Sequence, residues 1–159
     1  MSMSGTRVTI EFPEPIYSLF NTSRDDLPAV VVVNAKLKEF AHRDLFPWHL
    51  SVLITPRALA ENGMPTSAEC LVLDAVADEI SAVVTGNRNA LFLARETWNG
   101  RRQLLFRVHN PKFADRSLQQ LISRGSQQRE WEFRMEHDAS WSFGEPYLSL
   151  FVNAGGSDA

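Results

Sequence analysis

Hydrophobic and polar residues alternate in several parts of the chain, a pattern that predicts β-strands because successive strand side chains point to opposite faces. In residues 30–40 the hydrophobic side chains fall on one face and asparagine or lysine on the other. Residues 48–54 repeat this alternation. Residues 130–136 alternate large hydrophobic residues with glutamate and arginine and predict a strand with one solvent face. A shorter alternation in residues 8–12 predicts a further strand, which ends before Pro13.

The dipeptide Asn99-Gly100 lies between two alternating hydrophobic runs and predicts a β-hairpin. A two-residue type I′ turn needs positive φ at both central positions, which asparagine and glycine adopt readily. If the strands pair without interruption from this turn, the core face contains the pairs Leu91–Val108, Leu93–Phe106 and Arg95–Leu104. The outer face then contains the pairs Phe92–Arg107, Ala94–Leu105, Glu96–Gln103 and Trp98–Arg101.

A first helix is predicted by hydrophobic residues that recur at intervals of three and four between residues 66 and 85. Thr66 and Glu69 have the spacing of a capping box, in which the hydroxyl accepts from the Glu69 N–H and the carboxylate accepts from the Thr66 N–H. The helix should therefore begin at Thr66. Gly86 provides a stop.

A second helix is expected to open at Asn110-Pro111, because proline at the first helical position loses no hydrogen bond that the helix would have made. Gly125 is placed to end it. The last hydrophobic segment, residues 141–151, contains Gly144 and Pro146 and predicts a short helix or a packed turn.

From residue 48 onward the predicted order is strand, helix, strand, strand, helix, strand, which is the split βαβ arrangement of ferredoxin-like α+β domains. We therefore expect an antiparallel sheet with both helices on one face. The strand predicted in residues 30–40 extends or flanks this sheet. Residues 1–16 are expected to form an N-terminal extension with a short strand, residues 17–152 the single domain, and residues 153–159 a flexible tail.

Composition and charge exclude several classes of partner and compartment. The 16 basic and 19 acidic residues give a net charge of −3, which disfavours nucleic acid as a partner, because binding to duplexes needs a basic surplus. The longest hydrophobic run, Ala29–Val33, is far shorter than the roughly 18 residues that span a bilayer. No signal peptide is predicted, and the single cysteine, Cys70, can form no internal disulfide. We expect a cytoplasmic protein with no membrane partner.

Several short motifs occur in a defined order: VVVNAKL at 31–37, FPWHL at 46–50, NGMP at 62–65, NGRR at 99–102, and Asp138, Trp141 and Phe143 before Tyr147-Leu148. This order resembles that of the uncharacterised bacterial DUF 695 family over residues 17–151. The resemblance implies no established reaction. At the level of fold it implies a likeness to small bacterial regulators such as the ribonuclease E inhibitor of the B type.

Candidate catalytic and metal-binding residues are few. Cys70 would lie in the first turns of a helix, where a thiol gains reactivity, but no redox or protease motif accompanies it and a buried structural role is favoured. Arg134 interrupts the glutamates of residues 130–136, which favours a solvated face over a cation site. The four histidines lack the spacing of a zinc site: His42, His49, His109 and His137. We predict no catalytic residue, no metal and no cofactor.

The first functional hypothesis is a non-enzymatic regulatory or protein-binding module, which would bind another protein or form a homodimer. The outer face of the hairpin carries hydrophobic side chains although the helices can cover only one face of the sheet. The candidate interaction surface consists of Phe92, Ala94, Trp98, Arg101, Leu105 and Arg107.

The alternative hypothesis is an enzyme or a domain that binds a small molecule or an anion. Its site would be a cleft beside the loop of residues 62–66, with Asn62 and Thr66 near a helix N-terminus. The anion would be held by the hairpin arginines, namely Arg95, Arg101, Arg102 and Arg107.

Overall fold

A six-stranded antiparallel sheet is the centre of the computed structural model, which describes residues 11–125 and 127–151. The strands lie in the order β1-β2-β4-β5-β3-β6. Their bounds are β1 Tyr17–Arg24, β2 Leu27–Asn34, β3 Trp48–Ile54, β4 Ala90–Trp98, β5 Arg101–Val108 and β6 Trp131–His137. The helices are α1 Ser67–Val84, α2 Pro111–Ser123 and the short α3 Glu145–Leu148. The chain is thus an α+β protein, and none of its described helices is long and apolar enough to cross a membrane.

Four predictions from the sequence are confirmed closely. The strand of residues 48–54 is β3, and residues 131–137 form β6. Asn99 and Gly100 form the turn between β4 and β5, with φ values of 45° and 72°. The final hydrophobic segment contains α3. Alternation and turn chemistry were therefore sufficient signals in these parts of the chain.

The pairing of the β4–β5 hairpin was predicted wrongly beyond its middle. The register runs as expected from Trp98–Arg101 to Ala94–Leu105 and then shifts at a bulge, so that Phe92 lies opposite Phe106 and Leu91 opposite Arg107. A β-bulge adds one residue to one strand, which changes the partners of every residue beyond it. Leu93 is the extra residue.

The predicted strand of residues 30–40 is also only half right. It ends at Asn34, whose side chain accepts a hydrogen bond from the Lys36 N–H and caps a 3-10 helix over Ala35–Glu39. This short helix directs the chain over the sheet, and its Leu37 side chain is completely buried. The hydrophobic alternation in the sequence extends past Asn34, because the Leu37 side chain packs into the same hydrophobic core as Val31 and Val33 of β2.

The strand β1 was not predicted. It pairs with β2 over its full length, from Tyr17 opposite Asn34 to Arg24 opposite Leu27, and Asp25-Asp26 forms the turn with positive φ at both residues. Most of β1 is exposed, so its sequence lacks the hydrophobic alternation of a half-buried strand. An N-terminal strand was predicted in residues 8–12: residues 8–10 lie outside the described residues, and residues 11–12 are not in a strand. The predicted tail of residues 153–159 also lies outside the described residues.

The two long helices pack against each other and against the same face of the sheet. Thr66 caps α1 by accepting from the Glu69 N–H at 3.2 Å, as predicted. The second half of the predicted capping box does not form, because the Thr66 N–H donates to the Ala58 carbonyl. The Glu69 carboxylate instead accepts from the Arg57 N–H and from the Arg129 guanidinium.

The opposite face of the sheet is covered over only half its length. The covering segment comprises residues 35–46 and 138–148, and its side chains form a second hydrophobic core with the sheet. The buried members of this core on the sheet are Val31, Val33, Leu91, Leu93, Ala94 and Leu105. The prediction of helices on one face therefore holds for α1 and α2, while α3 lies on the other face.

A buried ion pair anchors the covering segment to the sheet. Arg107 of β5 has no solvent-accessible surface and donates to the Asp138 carboxylate at 2.9 Å. It also donates to the backbone carbonyls of Phe46 and Asp138. Its guanidinium lies 4.6 Å from the centre of the Trp141 ring, and the Trp141 indole N–H donates to the Phe46 carbonyl. One arginine thus joins both parts of the covering segment.

We expect the substitution Asp138→Ala to lower the free energy of unfolding by about 3 to 5 kcal/mol, because it leaves the Arg107 charge buried without its partner. Urea unfolding at pH 7 measures this change. Glu130→Ala is the control, since it removes an exposed carboxylate just before β6, and should change stability by less than about 0.5 kcal/mol. A loss below about 1 kcal/mol for Asp138→Ala would contradict the anchoring role.

Candidate functional site

The uncovered half of the second sheet face forms a polar groove of about 250 Å³. We call it the open sheet face. It extends across the sheet from the end of β1 to β6 and is lined by Arg24, Ser51, Leu53, Glu96, Trp98, Arg101, Gln103, Glu132 and Arg134. All but the first of these residues lie in β3 to β6, so the sheet itself holds the lining side chains in place.

The floor of the groove is polar. The Gln103 side-chain amide donates to the Ser51 hydroxyl at 2.7 Å, and these two residues lie on the adjacent strands β5 and β3. Leu53 is the one aliphatic residue of the lining. A floor of this kind offers hydrogen-bonding groups to a ligand without the hydrophobic area of a protein core.

One wall of the groove is a fixed cluster around Trp98. The Trp98 indole N–H donates to the Arg24 carbonyl at 2.9 Å, and the Arg24 guanidinium lies 4.9 Å from the centre of the indole ring. The same guanidinium pairs with Glu96, which also accepts from the Tyr147 hydroxyl at 3.3 Å. Burial and the neighbouring Glu96 carboxylate raise the pKa of Tyr147 to about 12. The Glu96 charge is therefore offset by Arg24, and Tyr147 stays a neutral hydrogen-bond donor to it.

The other side of the groove is more open. The Arg134 side chain is 82% exposed and lies 3.7 Å from the Glu136 carboxylate, a distance typical of a weak surface pair. Arg101 is exposed at the hairpin tip, and among the described residues its side chain makes no hydrogen bond or ion pair. Two guanidinium groups are thus accessible to a ligand at this end of the sheet.

The structure separates the six residues of the predicted interaction surface. Trp98 and Arg101 lie on the open sheet face. Ala94, Leu105 and Arg107 are buried beneath the covering segment, so these three side chains are not accessible for binding.

Phe92 lies on the other face of the sheet, toward the helices. It packs against the helix-side core and contacts the rings of Tyr17 and Phe106. The bulge at Leu93 is the reason, because the extra residue reverses the face on which the preceding side chains lie. The groove residues of β3 and β6 were not predicted, although the alternation of β6 places Glu132 and Arg134 together on one face.

The residues of the predicted anion cleft are used within the fold. Arg102 is buried and pairs with Asp74 of α1 at 2.7 Å, and Arg95 lies 3.6 Å from the same carboxylate. The Asn62 side chain accepts from the Met64 N–H, and the Thr66 hydroxyl caps α1. Of the hairpin arginines in that hypothesis, Arg101 alone forms no ion pair with another described residue.

The other candidate groups also have structural roles. Cys70 is partly buried near Arg102, with its thiol 4.0 Å from the Pro65 carbonyl. Hydrogen bonds from Arg129 hold the pKa of the Glu69 carboxyl at about 2, which indicates a stable ion pair between α1 and the segment before β6. In the part of the chain that the structure describes, no group of three or more His, Cys, Asp or Glu residues is arranged to hold a metal ion.

Two titratable groups beneath the covering segment have strongly shifted pKa values. Burial opposes ionisation of Asp138, yet hydrogen bonds from Ser142, Phe143 and Arg107 hold its pKa at about 2. Burial, together with the nearby Arg107 charge, lowers the pKa of His49 to about 4. The His49 ring lies 5.2 Å from the Phe143 ring, and its Nδ1 atom is buried with no hydrogen-bond partner among the described residues.

We expect the wild-type protein to lose about 2 kcal/mol of stability between pH 7.5 and pH 5 through His49. A histidine whose pKa falls from 6.5 to about 4 on folding stabilises the fold fully above pH 6.5 and loses this contribution as the pH falls toward 4. Urea unfolding of the wild type and of His49→Phe at both pH values measures the difference. An equal loss in the two proteins would contradict the neutral, buried imidazole.

Comparison with known proteins assigns the chain to a family. Residues 17–149, which include every described strand and helix, match the model of a family of unknown function, DUF695. No curated protein and no solved structure shows a significant match. The family match covers most of the chain and agrees with the resemblance seen in the sequence motifs. The chain therefore belongs to the DUF695 family.

Proposed function

We propose that the protein is a non-enzymatic regulatory module that binds an acidic, extended segment of another protein on the open sheet face. The observation that carries this proposal is the combination of a rigid aromatic ring, Trp98, with two accessible guanidinium groups, Arg101 and Arg134, on one uncovered sheet surface. Tryptophan and arginine are the residues that most often dominate the energy of protein interfaces.

Charge favours an acidic partner. The lining contains three arginines and two glutamates, and one of these glutamates, Glu96, is already paired with Arg24 and hydrogen-bonded to Tyr147. Within the lining, Arg101 and Arg134 outweigh the remaining Glu132, and Glu136, whose carboxylate lies 3.7 Å from Arg134, stands just outside the lining; the whole chain carries a net charge of −3. Exposed guanidinium groups attract and orient acidic segments even on a protein whose net charge is negative.

The rigidity of the site favours a binding role. Trp98 is held by its indole N–H and by the Arg24 guanidinium, and Gln103 is held by Ser51. Side chains that are ordered before binding lose less conformational entropy when a partner arrives. The lining side chains are also spread over the four strands β3 to β6, an arrangement that suits a peptide chain lying across the strands.

Two finer features belong to the same proposal. We propose that the part of the chain from β3 to β6 forms a ferredoxin-like split βαβ unit, which the β1–β2 hairpin extends at one edge. The strand order β4-β5-β3-β6 supports this.

We also propose a bacterial, cytoplasmic setting, in which a chain with one cysteine needs no oxidising environment.

Selection of a random 12-residue peptide library displayed on phage tests the binding role. We expect enriched peptides to carry several Asp or Glu residues beside an aromatic or aliphatic residue. Their affinity for the Arg101→Glu, Arg134→Glu double variant should fall at least ten-fold, equivalent to about 1.4 kcal/mol. It should also fall as ionic strength rises, because the attraction is between exposed charges.

Arg116→Glu is the matched control, since it reverses an exposed charge on α2, on the helix side of the sheet. This variant should bind the selected peptides as the wild type does. Recovery of no enriched peptide, or of peptides that bind the double variant as tightly as the wild type, would contradict the proposal. Thermal unfolding of all three proteins verifies that they are folded.

A further inference from the structure

The two edges of the sheet differ in charge and in exposed hydrophobic side chains. The edge strand β6 carries Glu132, Arg134 and Glu136, and charged residues on an edge discourage pairing with another strand. Residues 17–23 of the other edge strand, β1, contain no charged residue and no proline. Tyr17 and Leu19 of β1 are 57% and 60% exposed.

The backbone of β1 has hydrogen-bonding groups directed away from the sheet. The Ala35 N–H donates to the Ile16 carbonyl at 2.7 Å, so the carbonyl of Ile16 points toward β2. Backbone groups of an antiparallel edge strand alternate between the neighbouring strand and the outside. The N–H and C=O groups that point outward are therefore those of Tyr17, Leu19, Asn21 and Ser23, and no strand of the described chain pairs with them.

We propose that β1 pairs with β1 of a second copy of this chain, antiparallel and about a two-fold axis. In such a pair, residues whose backbone N–H and C=O groups point outward lie opposite each other. Their side chains then lie on the same face of the joined sheet. In the register centred on Leu19, the two Leu19 side chains meet, and each Tyr17 lies opposite Asn21 of the other copy. This proposal is independent of the peptide-binding role.

A second copy suits this edge better than an unrelated strand. The same uncharged row of residues meets itself, so no like charges are opposed in the junction. The one charged residue at the end of β1, Arg24, is already paired with Glu96. A two-fold axis perpendicular to the sheet keeps both open sheet faces on the same side, so a dimer would present two peptide sites in parallel.

Sedimentation velocity between 1 and 200 µM tests the dimer. We expect wild-type protein to shift with concentration toward twice the mass of the 18.0 kDa chain. Leu19→Lys should raise the dimer dissociation constant at least ten-fold, because it places two like charges at the centre of the junction. Leu71→Lys is the matched control: Leu71 is 73% exposed on α1, and its substitution should leave the dissociation constant unchanged.

Amide hydrogen exchange at two concentrations identifies the edge directly. The N–H groups of Leu19 and Asn21 should exchange more slowly at 200 µM than at 1 µM, and this difference should vanish in Leu19→Lys. Wild-type protein that stays monomeric at 200 µM would overturn the proposal. So would a Leu19→Lys variant that dimerises like the wild type, or amides that are equally protected at both concentrations. Peptide binding should be unaffected by Leu19→Lys, which separates this test from that of the open sheet face.

Discussion

The buried contact between Arg107 and Asp138 determines how the second face of the sheet is divided. A charged guanidinium without solvent needs several acceptors, and Arg107 finds them in the Asp138 carboxylate and in the carbonyls of Phe46 and Asp138. These acceptors belong to two distant parts of the chain, which are thereby held together over the sheet. The Trp141 ring closes the site, and its positive φ of 61° shows that tertiary contacts override its local backbone preference.

The division leaves one half of the face as a packed core and the other half as a polar surface. Side chains on β4 and β5 change from hydrophobic to polar at the boundary: Ala94 and Leu105 lie in the core, while Glu96 and Gln103, two residues nearer the hairpin tip, line the groove, with Glu96 buried against Arg24 and Tyr147. The open sheet face is thus a consequence of how far the covering segment extends. A surface of this kind is rigid because the sheet and the core beneath α1 and α2 support it from behind.

The sequence was informative wherever local chemistry decides the structure. Alternation placed β3 and β6, and Asn99-Gly100 placed the hairpin, because each signal acts within a few residues. The bulge at Leu93 could not be predicted, since every residue of that stretch is hydrophobic and suits either face. Arg107 was expected on a surface because its charge suggests exposure, whereas its partner Asp138 lies 31 positions away. Two residues of the open sheet face, Trp98 and Arg101, were predicted from the sequence as part of an interaction surface. The groove residues of β3 and β6 were not, because their position beside β5 depends on the order of the strands in the sheet.

Hydroxyl-radical footprinting of the native protein, read residue by residue by mass spectrometry, tests most directly whether the second sheet face is closed at one end and open at the other. The two tryptophans Trp141 and Trp98 serve as probes of the same chemistry, one beneath the covering segment and one at the groove. We expect Trp98 to be oxidised while Trp141 stays unmodified until the protein unfolds. Oxidation of both rings at similar rates in the folded state would contradict it.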